Sequence, residues 1–91
     1  MEQITEFTMY KGKPLVRNGN VLCYGDPSEK AILVLTILTT KKYMDKEIAD
    51  MIFLQVLETG ENGAILKQAE KNGLYAALDI GAAWLDRELK K

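Results

Sequence analysis

The 91 residues, 47% of them hydrophobic, make one domain near the small end of what folds without covalent help. A single cysteine excludes an internal disulfide framework, and the absence of histidine removes the commonest general base and the commonest transition-metal ligand. Twelve basic and thirteen acidic side chains leave a formal charge of −1, without the excess of Lys and Arg expected of a dedicated nucleic-acid binder.

The opening Met1-Glu2-Gln3-Ile4 is acidic and polar, with no basic region of a signal peptide. Ile4 to Tyr10 then reads as a strand, with Phe7 and Met9 on one side and Ile4 and Thr8 on the other. Gly12 breaks it, and Lys13 to Arg17 begins a second strand, with Pro14 suited to an edge or to the strand's start. Asn18-Gly19, between Leu15-Val16 and Val21-Leu22, predicts a tight type I′ hairpin turn. Gly25-Asp26-Pro27-Ser28 is a turn by composition.

Lys30 to Thr40 is dense in Ile, Leu, Val and Thr, and predicts a strand with both faces partly covered. Its apolar run, Ala31 to Leu38, is too short to cross a bilayer. Residues 47–59 admit two readings: a helix started by Asp45-Lys46-Glu47, or a strand over Met51 to Leu57 pairing back on Ala31 to Leu38. The charged Lys41 to Lys46 has the length of a hairpin tip, which favours the strand; Tyr43 and Met44 there could insert into a partner, and the plainer reading folds them back over the sheet end. Thr59 to Gly63 is a loop, and Ala64 to Glu70 a further strand.

From Asn72 to Leu89 the pattern is helical. Leu74, Leu78, Leu85 and Leu89 fall on one line, flanked by Ala77, Gly81 and Trp84 on one side and by Tyr75 and Ala82 on the other. At about 100° per residue the apolar arc is roughly 200°, wider than a simple surface stripe. Asn72 is placed to cap this helix, and Arg87, Lys90 and Lys91 complement its C-terminal dipole. Gly81 costs roughly 1 kcal/mol relative to alanine inside a helix, which implies a close approach to a neighbouring element. The order of elements predicts an α+β domain: an antiparallel sheet of about five to six strands in hairpins, covered by one C-terminal α-helix.

Gly12-Lys13-Pro14-Leu15-Val16-Arg17, Tyr24-Gly25, and Glu70-Lys71-Asn72-Gly73-Leu74-Tyr75 through Trp84-Leu85 resemble a group of small uncharacterised bacterial proteins. The resemblance spans most of the chain, supports the strand reading of the middle segment and implies no activity or functional residue.

Candidate sites are few. Cys23 lies in the apolar segment Val21 to Tyr24 and reads as a small core residue rather than a reactive thiol. Tyr10, Lys11, Lys13 and Arg17 form a basic, aromatic-containing cluster that could meet an anionic partner, with Tyr10 stacking on a base; the plainer reading is a solvated strand edge. Asp79 and Asp86, two turns apart on one side, could mimic a paired acid site or hold a hard cation; a polar helix face with an Asp86–Lys90 pair explains them, with Glu88 and Glu70, without function. Lys71-Asn72-Gly73 before the helix offers at most a weak anion site.

These observations predict no catalytic residue, metal or cofactor, and a cytoplasmic protein outside the membrane. The leading expectation is a non-catalytic protein-interaction module that self-associates as a homodimer through Tyr75, Ile80 and Trp84 on the helix flank. A further protein partner fits the same surface. The alternative is a small-ligand or nucleic-acid binder using Lys11, Lys13 and Arg17, with nucleic acid disfavoured by the balanced charge.

Overall fold

A computed structural model describes residues 5–60 and 63–90, and side chains from Met9 onward within that range. Ile4, the Glu61-Asn62 part of the expected loop, Lys91 and the facing of Phe7 and Thr8 lie outside what is described. The strands are β1 (Thr5–Tyr10), β2 (Lys13–Asn18), β3 (Val21–Tyr24), β4 (Ala31–Ile37), β5 (Thr40–Tyr43), β6 (Lys46–Ala49), β7 (Met51–Glu58) and β8 (Ile65–Asn72), followed by helix α1 (Leu74–Leu89). Six of them form one antiparallel sheet in the order β1-β2-β3-β4-β7-β8, and β5-β6 is a separate two-stranded ribbon. The α+β class, the C-terminal helix and the strand reading of the middle segment are as the sequence predicts.

Hairpin chemistry explains the order. At the β1–β2 turn Lys11 and Gly12 both have positive φ, as a two-residue I′ turn requires. The next turn departs by one residue from the expected Asn18-Gly19. Asn18 pairs with Val21, so the central residues are Gly19 and Asn20, and of these two only Gly19 has positive φ. That is the II′ pattern. The shift is held from β4: the Ile37 amide donates to the Asn20 carbonyl at 2.8 Å, and the Asn20 side-chain amide donates to the Ile37 carbonyl at 3.2 Å.

Beyond Ile37 the β4–β7 ladder is interrupted. The amides of Leu38 and Thr39 both address the Met51 carbonyl, at 2.8 and 3.5 Å, two residues against one as in a bulge. The β5–β6 ribbon follows that interruption as a separate arm. Its tip, Met44-Asp45, has positive φ at both positions, and Tyr43 and Met44 are 63% and 79% exposed. They do not fold back over the sheet end, since both side chains stand in solvent at the ribbon's tip.

The core lies between the sheet and α1. Leu33, Leu35, Ile52, Leu54, Val56 and Leu85 are fully buried, joined by Leu22, Tyr24, Ala77 and Leu78. In β4 and β7 burial alternates strictly, so one face of the sheet is sealed by the helix and the other stays half-exposed. Two covered faces would need a second layer, and among the described residues α1 is the element that packs across the sheet. Helix capping also differs from expectation. The N-cap is Gly73, with no side-chain cap, because Asn72 is still the last residue of β8, paired with Met51; its side-chain amide donates to Asp50 Oδ1 at 3.3 Å.

Candidate functional site

The feature that stands out is the sheet face opposite α1. The registers place its side chains in rows. One row runs Val16, Cys23, Val34, Gln55, Gln68; the next runs Val21, Thr36, Phe53, Glu70; a third joins Ile32 to Leu57. Val16, Val21, Ile32, Val34, Phe53 and Leu57 are half-buried, and among the described residues no second layer packs on them. No β3, β4 or β7 position on this face carries a charge. Antiparallel sheets commonly solvate one face, but they do so with polar side chains there. Here the polar set in the centre is Thr36, Gln55 and Cys23.

Cys23 belongs to this face. It is exposed and is not the small core residue expected from its apolar neighbours. Strand alternation puts Leu22 and Tyr24 toward the helix, so Cys23 necessarily points the other way.

The fold keeps Lys11 and Lys13 on one hollow, with Lys11 Nζ 5.4 Å from the Tyr10 ring centroid, and sets Arg17 apart. Lys11 Nζ lies 2.8 Å from Asp79 Oδ1, and Lys13 Nζ lies 3.1 Å from Glu29 Oε1. The hydrogen bond from Lys11 to Asp79 pushes the lysine pKa above its ordinary value. Arg17 sits four residues along β2 from Lys13, about 13 Å at strand rise, and its Nε donates to the Gly19 carbonyl at 3.0 Å. Tyr10 is occupied too. Its ring meets that of Tyr24 edge-on, with centroids 5.6 Å apart, and its carbonyl accepts the Tyr24 hydroxyl at 2.8 Å. Burial raises the Tyr24 pKa above its usual value.

On the helix flank the three predicted residues part company. Ile80 and Trp84 are half-buried and pack against the core, and Lys67 Nζ of β8 stands 4.8 Å from the centroid of the Trp84 ring. Tyr75 remains 81% exposed. Asp79 and Asp86 are engaged by Lys11 and Lys90, the latter at 3.1 Å in the expected i,i+4 pair. Among the described residues no three acidic, His or Cys side chains converge as metal ligands.

Comparison with family models, with curated proteins and with solved structures finds no match to this chain. Among the described residues no helix is long and apolar enough to cross a membrane.

Proposed function

We propose that this protein is a non-catalytic interaction module that self-associates, and that its contact surface is the open sheet face. The observation that carries this reading is the uncharged apolar centre formed by Val21, Ile32, Val34, Phe53 and Leu57. Contiguous apolar surface of this kind is uncommon on monomers.

A second copy is the occupant the chemistry favours. A face without central charge offers nothing to select an acidic or basic partner, but it is complementary to itself across a two-fold axis. Two such faces stack as a β-sandwich about 10 Å apart, each supplying side chains to one shared core. At about 4.8 Å between strands and 3.3 Å per residue, six strands overlapping over about five residues project on the order of 500 Å². Burying that from both copies, with the relief of the side chains added, clears the roughly 1,000 Å² expected of a specific interface. The same reading suits a reducing cytoplasm, where the exposed Cys23 stays a free thiol. The basic-edge alternative has less support, since Lys11 and Lys13 already hold carboxylates.

Light scattering at micromolar concentration tests the proposal. The wild type should run near twice its 10.2 kDa, Phe53→Lys near the monomer mass, and Tyr75→Ser like the wild type. A monomeric wild type would overturn self-association. A dimer broken by Tyr75→Ser and kept by Phe53→Lys would move the interface to the helix flank.

A further inference from the structure

The arm and the helix start enclose a cavity of about 570 Å³ on the side of the sheet that carries α1, away from the open face. Its size falls in the range of small-molecule sites, about 300–1,000 Å³. Ile37 at the end of β4, Ile48 and Ala49 on the arm, and Leu74 and Tyr75 on the helix give it apolar walls. Tyr75 and Ile48 are 81% and 39% exposed, so two large apolar side chains line one hollow without filling it. The ion pair Lys41–Asp50, at 3.9 Å, joins the arm to the strand junction.

Arg17 supplies a cationic group at the same hollow. Its Nε is held by the Gly19 carbonyl at 3.0 Å, which fixes the guanidinium while leaving its Nη donors. No described carboxylate forms an ion pair with it. Among the described side chains Glu47 lines the cavity as well, and Glu6 of β1 is the register partner of Arg17. A single carboxylate can be met by Arg17 alone, whereas a phosphate or nucleotide would bring further negative charge against Glu47.

We infer that the cavity binds a small apolar monocarboxylate, its hydrocarbon against Ile37, Ile48 and Leu74 and its carboxylate on the Arg17 guanidinium. An Arg–carboxylate pair of this type is charge-assisted and can be bidentate, so it orients the ligand as well as holding it. This inference is independent of self-association, because the two surfaces lie on opposite sides of the sheet.

Amide chemical shifts of the full chain, followed by ¹H–¹⁵N NMR during titration with octanoate, 1-octanol or inorganic phosphate, provide the test. Octanoate should give saturable shifts centred on Ala49, Leu74 and Tyr75. Octanol should bind more weakly, and phosphate should not shift these amides. Arg17→Met should weaken octanoate about tenfold while leaving octanol unchanged, in line with loss of one charge-assisted contact. Ile48→Asn, at an exposed arm position, should weaken both. No saturable shift in the wild type would overturn the inference, as would octanoate affinity unchanged by Arg17→Met. Octanoate shifts centred on Val34 and Phe53 would likewise overturn it, by assigning the binding to the open face.

Discussion

Gly81 of α1 rests directly on Leu33 of β4: a Cβ built at Gly81 would come 2.6 Å from Leu33 Cδ2 and 2.8 Å from Cδ1. Leu33 is fully buried, so its methyl groups have little room to retreat. The helix approaches the sheet as closely as it does because this position has no side chain. Gly81→Ala therefore sets two effects against each other. Helix propensity gains about 1 kcal/mol, while overpacking a tight core contact costs about 1–3 kcal/mol. We expect the cost to win, with net destabilisation of about 1 kcal/mol in urea unfolding. Leu33→Ala combined with Gly81→Ala should be less damaging than the two single changes added together, since the truncated leucine makes room for the new methyl.

The Tyr24 hydroxyl is committed to the Tyr10 carbonyl at 2.8 Å in a buried setting. Tyr24→Phe removes one neutral hydrogen bond and leaves a carbonyl short of a partner, which should cost about 1 kcal/mol at neutral pH. The pH dependence follows from two groups. Tyr24, raised by burial from 10.0, and Lys11, raised by its Asp79 partner from 10.5, both keep a proton longer when folded than when unfolded. Their contribution is thus complete below about pH 10 and is lost as pH rises through the folded values. Urea midpoints should be flat from neutral to about pH 9.5 with respect to these groups and fall above that. The fall should be shallower in Tyr24→Phe and shallower again when Lys11→Met is added. A midpoint that rose with pH in this window would contradict the assignment.

Trp84 is the single tryptophan of the chain, which makes its emission a local probe of the helix flank. Lys67 covers the ring at 4.8 Å. A cation–π contact of this partly exposed kind is worth about 0.5–1 kcal/mol. Lys67→Ala should lower stability by no more than that and shift Trp84 emission to longer wavelength as water reaches the ring. Dilution that separates a sheet-face dimer should leave the emission where it was. A wavelength shift on dilution of the wild type would place Trp84 in the contact between copies.

What was legible in the sequence was local. Alternation and turn residues placed the strands, and the four-and-seven spacing of Leu74, Leu78, Leu85 and Leu89 placed the helix. Even the close approach at Gly81 could be anticipated, because a glycine inside a good helix implies a packing reason. What failed was decided by residues distant in sequence. The second hairpin shifted by one residue because Ile37 bonds both ways to Asn20. Asn72 did not cap the helix because its pairing with Met51 keeps it in β8, one residue short of the N-cap Gly73. The carboxylates that meet Lys11 and Lys13 were not legible either, because Asp79 and Glu29 lie 68 and 16 residues away. The facing of Cys23 failed for a different reason. Apolar neighbours on a short strand say that one face is covered without saying which, and Leu22 and Tyr24 took the covered side.

Cys23 gives the open face its most direct chemical readout. It pairs across strands with Val16 and Val34, in the central row of that face, and its side chain is exposed in the single chain. In a face-to-face sandwich this row lies in the shared core, so a thiol reagent can reach it only in dissociated chains. The alkylation rate of Cys23 by iodoacetamide should therefore depend on protein concentration, slow when the dimer is populated and rising toward a plateau on dilution. Phe53→Lys, which puts an unpaired charge into the contact, should react at the plateau rate at every concentration. Phe53 lies in the neighbouring row, paired with Thr36 and Glu70, so its lysine does not stand beside the thiol as a Val34→Lys substitution would. Tyr75→Ser should follow the wild-type curve, because the helix start lies on the other side of the sheet. A wild-type rate independent of concentration, at protein levels where light scattering finds dimer, would show that the copies meet elsewhere.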